Sequence, residues 1–195
     1  MKKFLMVIAL VLSVSNTASA ALIVGNDATN RVSSDGWSNF VIGHFDDVFT
    51  LSGTLKEWNV FTTSAGTVGA VILRSAGNNV FDIVGVDYET VTSGGFHNFA
   101  FIPNFGSVNV QAGDFLGIYI GTARVRYDNT QETVGWTANG NGSITTSWLE
   151  NGNSITLNTG GGRTYSMNVT YVPAPATVGL IGIALLVLGA TRRTR

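Results

Sequence analysis

Two histidines, His44 and His97, and twelve carboxylates are the groups from which acid–base or metal chemistry would have to be assembled in this chain. His44 is followed directly by Phe45, Asp46 and Asp47, the one place where an imidazole and two carboxylates stand within four residues. Asp46 and Asp47 are therefore the candidate oxygen ligands for calcium, the one cofactor the residues suggest, with a solvated acidic turn as the competing reading. Neither histidine has companions at zinc-ligand spacing, and His97, after Gly94, Gly95 and Phe96, reads as a structural residue at the start of a strand. Carboxylate pairs for glycoside hydrolysis can be drawn from Asp82, Asp87, Glu89, Asp114, Asp128, Glu132 and Glu150, but most chains of this size offer such a set. No Gly-x-Ser-x-Gly elbow and no cysteine nucleophile is present, so an enzyme is not expected; a glycoside hydrolase or other secreted hydrolase is the remote alternative. Of the four tryptophans, Trp136 and Trp148 are the candidates for a sugar-stacking platform, with core packing as the alternative for all four.

The elements that would position these residues are strands. Short runs rich in Val, Ile, Phe, Tyr and Thr alternate with Gly, Asn, Ser and Thr, and outside the two ends no stretch has helical periodicity. Residues 68–74 and 115–121 are apolar enough to be buried central strands, NVFDIVGVDYETV continues the pattern with Val80, Phe81, Ile83, Val84 and Val86, and FTLSGTL, HNFAFIP, RVRYD, TVGW, SITTSWL, SITLN and TYSMNVTYV complete the series. In the last of these, Tyr165, Met167, Val169 and Tyr171 fall on one face. The sequence Gly160-Gly161-Gly162 reads as a hairpin loop, because no helix follows it to make a phosphate cradle. The fold class expected is all-β: a single β-sandwich, jelly-roll-like, over residues 21–171, with a closed barrel as the alternative.

The two ends differ in kind from this middle. Lys2 and Lys3 precede an apolar run and then small residues up to Ala18, Ser19 and Ala20, the three-part pattern of a secretory signal peptide over residues 1–20. Ala18 and Ala20 suit signal peptidase and place cleavage before Ala21; an uncleaved N-terminal anchor is the alternative. At the other end, residues 172–195 read VPAPATVGLIGIALLVLGATRRTR: a Pro-Ala-Pro segment (172–176), an uncharged hydrophobic helix (177–190) and a basic end (191–195). Pro173 and Pro175 cannot sit in a helix interior, so the backbone before the helix is extended. Arg192, Arg193 and Arg195 act as the membrane stop and hold the extreme C-terminus on the cytoplasmic side.

This tail resembles the PEP-CTERM sorting signal of exported proteins in Gram-negative bacteria. Ala174 stands where the family motif has glutamate, as in its Val-Pro-x-Pro-Ala variants. The resemblance implies that an exosortase-like membrane protease engages Val172, Pro173, Ala174 and Pro175, and it links the chain to exopolysaccharide and biofilm. A permanent single-pass tail anchor is the competitor; a sortase signal would need Leu-Pro-x-Thr-Gly, which VPAPAT does not supply.

Without its two ends the chain keeps six basic residues against twelve acidic ones, a net charge of about −6 that argues against a nucleic-acid partner. It has no cysteine, so in an oxidising compartment its stability must come from packing and hydrogen bonds. The expected partners are the export machinery, signal peptidase, the exosortase-like protease, transiently the inner membrane, and a polysaccharide. The expected route is export, an inner-membrane-tethered precursor, and then the cell surface or the extracellular space, for a surface or matrix protein; a carbohydrate-binding module is the alternative function.

Overall fold

The apolar runs at 68–73 and 115–121 lack charged positions because both of their faces are buried, each against a different core. This is visible in a computed structural model that describes residues 19–137 and 144–175. Ala18, the residues from Ala176 onward and the basic end with Arg192, Arg193 and Arg195 lie outside the described residues. The compact unit is Ala21–Pro173, and residues 19, 20, 174 and 175 belong to the flanking segments.

Among the described residues, thirteen strands and one short helix make up this unit. The strands are β1 (Leu22–Gly25), β2 (Ser33–Ser34), β3 (Phe40–Val48), β4 (Gly53–Thr62), β5 (Gly66–Gly77), β6 (Val80–Val91), β7 (Gly95–Ala100), β8 (Phe105–Gly106), β9 (Asn109–Val110), β10 (Phe115–Ile120), β11 (Arg126–Thr137), β12 (Ser154–Tyr165) and β13 (Met167–Pro173); the helix is α1 (Thr146–Glu150). They form two antiparallel sheets. The first has the order β1-β13-β4-β7, with β9 also on β4; the second has the order β12-β11-β3-β10-β5-β6-β8, with β2 on β11. The all-β sandwich expected from the sequence is thus present as two sheets facing each other across a shared core.

That core follows the period-two rule of strands. Leu116, Ile118 and Ile120 of β10 and Val68, Ala70 and Ile72 of β5 meet Trp58 and Val60 of β4 and Met167, Val169 and Tyr171 of β13 in one cluster. The intervening residues point the other way. Val71 and Leu73, Phe115 and Tyr119, Phe81 and Ile83, Ile155 and Leu157 form a second cluster on the opposite face of the second sheet.

The second cluster exists because the second sheet closes on itself. β12 pairs with β11 from Leu157 to Tyr165, while its first residues, Ser154 to Thr156, pair with β6. The path β12-β11-β3-β10-β5-β6 therefore returns to its start as a six-stranded ring, combining the sandwich with its barrel alternative. Phe45 of β3 stacks on Phe81 of β6 at 5.4 Å between ring centroids, and both meet Phe115 edge-on, so strands far apart along the path touch through the interior. Space for these rings comes from Gly43, Gly117 and Gly135. A Cβ added at Gly43 would lie 2.6 Å from Leu157, and one at Gly135 would lie 2.6 Å from Phe45. Leu149 of α1 and Ile144 also join this cluster.

Several local expectations are corrected. SITTSWL contains α1 rather than a strand: the Thr145 hydroxyl caps it by accepting from the Trp148 N–H at 3.2 Å, competing successfully with strand pairing. Gly160-Gly161-Gly162 is not a hairpin loop but lies inside β12, with Gly160 opposite Val134 and Gly161 opposite Thr133. In FTLSGTL the strand starts only at Gly53, and Leu51 is exposed. Asn78-Asn79 make the hairpin turn between β5 and β6: both residues have positive φ, 55° and 61°, as a two-residue loop demands.

The last strand runs two residues past the expected boundary at Tyr171, to Pro173, which pairs with Gly53. β1 starts opposite Tyr171, at Leu22, so Pro173 lies where the sheet has become an edge and a missing N–H is tolerated. The start of β1 and the end of β13 therefore lie side by side. Between β12 and β13 the chain changes sheets through Ser166 alone, whose N–H donates to the Arg126 carbonyl and whose carbonyl accepts from the Phe61 N–H.

If the ring interior is as tightly filled as these distances require, Gly135→Ala should destabilise by about 1–3 kcal/mol through overpacking. Gly36→Ala, where an added Cβ meets nothing within 4 Å, should stay within about 0.5 kcal/mol. Urea midpoints of the two variants provide the check, and equal midpoints would contradict the packed ring.

Candidate functional site

The histidine and aspartates that stand together in sequence lie on β3, in a strand rather than in the acidic turn that was the competing reading. Asp46 Oδ2 accepts from the Thr133 N–H at 2.6 Å. Asp47 Oδ2 lies 2.9 Å from His44 Nδ1 and 3.5 Å from Asn26 Nδ2, and the same Asn26 amide donates to Glu132 at 3.1 Å. Both calcium candidates are thus engaged as hydrogen-bond acceptors, and among the described residues no three His, Asp or Glu side chains converge on a metal position. His44 is buried with its ring 5.3 Å from that of Tyr165. His97 stacks on Phe99, and its Nε2 lies 3.2 Å from both Thr62 Oγ1 and the Ser93 carbonyl.

Four of the other candidate carboxylates are held apart, each by its own partners. Asp114 takes a two-point bond from Arg74 at 2.7 and 2.9 Å, Asp128 is held by Arg31 and the Val32 N–H, Asp82 by Ser154, and Glu150 by the Tyr88 hydroxyl. Asp87 is the exception in kind, because it is buried and no cation faces it. It is buried between the sheets and accepts from the Trp58 indole N–H at 2.8 Å and the Ile102 N–H at 3.0 Å. Burial pushes its carboxyl above the usual range, only partly opposed by these two donors. Asp35, which no sequence motif singles out, is buried and receives bonds of 2.7 Å from both Arg163 and the Tyr165 hydroxyl. The Arg163 guanidinium also lies 4.4 Å over the Tyr127 ring. Burial, and next the charge of Asp35, raise the Tyr165 hydroxyl above its normal range.

The tryptophans do not make one platform. Trp58 is fully buried. Trp136 packs against the inter-sheet core, and its indole lies across Gly160, where an added Cβ would be 1.8 Å away. Trp148, on α1, packs against the ring interior. The two sugar-stacking candidates thus serve different cores on opposite faces of the second sheet, and the exposed tryptophan is Trp37, edge-on to Phe40.

A polar array that sequence spacing did not suggest lies on the outward face of the first sheet. Asn98, Asn59 and Asn168 are register partners across β7, β4 and β13. The Asn98 amide donates to Asn59 Oδ1 at 2.7 Å, that of Asn59 to Asn168 Oδ1 at 2.9 Å, and that of Asn168 to the Asn26 carbonyl at 3.1 Å. Two residues further along the same face, Phe61 is opposite Phe96, which is 57% exposed. The signal was present as Asn59-x-Phe61 and Phe96-x-Asn98, but only the antiparallel register makes it one array.

The tail motif is divided by the end of the sheet. Val172 and Pro173 are paired with Thr54 and Gly53, while Ala174 and Pro175 are exposed beyond the strand. Among the described residues no helix is long and apolar enough to cross a membrane, and the hydrophobic run at 177–190 lies outside them.

A carboxyl with a raised folded-state pKa contributes stability that is full below its unfolded pKa and is lost as pH rises through the folded value. Asp87→Asn keeps an oxygen acceptor for Trp58 and Ile102 without the charge. Relative to the native chain it should therefore gain stability as pH rises from about 3 to 7, across the ordinary carboxylate range. Urea unfolding of both chains across that interval measures the trend, and a difference independent of pH would rule out a buried charge.

No protein-family model and no curated protein matches the chain. Among solved structures, FlgD from Xanthomonas campestris, reported for its insights into hook capping in flagellar assembly, aligns over 83% of this chain and 75% of its own. Its identity is 19% and its TM-score 0.25, too low to support a statement about this chain.

Proposed function

We propose that the chain is an exported protein of a Gram-negative cell envelope, delivered by a PEP-CTERM-type tail and serving at the surface or in the matrix beside exopolysaccharide. The observation that carries this reading is the junction at the end of β13. Pairing stops at Pro173, and Ala174 and Pro175 leave the sheet exposed, immediately before the uncharged run. An extended, unpaired segment next to an apolar helix is what a membrane-embedded protease can take hold of. The engagement of the carboxylates as acceptors within the fold supports a structural or binding role over hydrolysis.

Membrane energetics support transient retention. The run at 177–190 holds eight Leu, Ile and Val residues, each worth about −0.3 to −0.6 kcal/mol at the bilayer centre, whereas one arginine there costs about 2.5–3.5 kcal/mol. Drawing Arg192, Arg193 and Arg195 through would cost more than the whole run contributes, so they stop the chain. In this scheme the export machinery delivers the precursor, signal peptidase cuts before Ala21, and an exosortase-like protease acts near residues 172–175.

The test is intact-mass measurement of the envelope and extracellular forms in the producing cell. The expected mature chain begins at Ala21 and ends close to Pro175, and replacing Arg192, Arg193 and Arg195 by glutamine should leave an unprocessed tail or misplace the protein. Native protein that still carries residues to Arg195 at the surface would instead establish a permanent anchor.

A further inference from the structure

We propose that the outward face of the first sheet binds a neutral polysaccharide, with the amides of the exposed Asn98 and the half-buried Asn59, backed by the buried Asn168, as its polar floor and Phe96 with Phe61 as its apolar wall. The inference stands independently of the tail.

The amide ladder is polarised and anchored before any ligand arrives. All three bonds run in one direction, from the edge strand β7 inward to the Asn26 carbonyl, so each carboxamide is fixed in one orientation. A carboxamide has two N–H donors and two acceptor lone pairs, and the ladder takes one donor from each of the three. The exposed Asn98 at its head receives no bond from the ladder on its own carbonyl oxygen. Sugar hydroxyls donate and accept at once, which is what neighbouring amide N–H and C=O groups are suited to meet. Because the side chains are already held, binding does not have to freeze them.

The apolar half of the match is the exposed Phe96 ring with Phe61 opposite it, about 7 Å along the strands from the amide pair, which is two residues of strand rise. An aromatic ring held open to solvent next to fixed amides can cover the C–H face of a pyranose while the amides bind its edge.

Charge selects the kind of polymer. In the five strands of this sheet Lys56 and Glu57 are the only formally charged side chains, adjacent and of opposite sign. The face is therefore close to neutral, in a domain whose six basic and twelve acidic residues give it a negative field. Such a field disfavours polyanions at long range and leaves neutral chains unaffected.

The purified full chain can be tested by affinity electrophoresis in gels containing dextran, mannan or xyloglucan, with alginate as the anionic counterpart. Retardation is expected with at least one neutral polymer and not with alginate. Phe96→Ala and Asn98→Ala should each weaken it about tenfold, the effect of losing roughly one good contact. Trp37→Ala, an exposed aromatic on another surface, should leave it unchanged. Thermal midpoints close to that of the native chain would separate lost contacts from lost folding. Absence of retardation by every neutral polymer, preference for alginate, or retardation indifferent to both face variants would each overturn the proposal. So would sedimentation showing that Phe96 instead mediates a dimer that binds no polysaccharide.

Discussion

Closure of the second sheet into a six-stranded ring is the constraint to which the rest of the fold answers. A ring this narrow must be filled by side chains from all sides, yet Phe45, Phe81 and Phe115 already occupy much of its interior. Glycine at 43, 117 and 135 is the consequence, since a Cβ at any of them would run into Leu157, Ile42 and Leu73, or Phe45. The ring also turns a one-sided sheet into a two-sided one. β5 and β10 serve two cores at once, and sheet 1 needs to cover only the outer of the two.

With no cysteine available, polar groups tie the layers together. Trp58 of sheet 1 reaches Asp87 of sheet 2 through the core, and Ser166 offers its N–H to one sheet and its carbonyl to the other. Arg163 and Tyr165 clamp the loop after β2 through Asp35. Such buried bonds contribute little net stability when satisfied but are costly to break, so they fix which arrangement forms more than how stable it is. Asp87 shows the balance most clearly: a carboxylate without a cation is tolerated because two N–H groups meet it.

The residues that revealed the fold in sequence were those whose surroundings are uniformly apolar. Val68 to Leu73 and Leu116 to Ile120 read as buried strands because both their faces are buried, and Tyr165, Met167, Val169 and Tyr171 read as one face because they are one. Sequence reading failed where a distant partner decides. The acidic stretch at Asp46 and Asp47 is a strand because Thr133, His44 and Asn26 supply its hydrogen bonds. Three glycines form a strand because Trp136 lies across the first of them. The amide ladder joins residues up to 142 positions apart, and only the pairing of distant strands makes one array of them.

The pairing of Leu22 with Tyr171 places the start of the first strand beside the end of the last at one corner of sheet 1. Antiparallel strands loaded from adjacent ends are peeled, so their hydrogen bonds fail one after another instead of sharing the load as in shear. A pull applied to both flanking segments at once would enter the domain at this weakest geometry, against a four-residue β1. Release of either end removes the opposing pull altogether. With only one flank held, the same pull would leave the four-residue β1 without load.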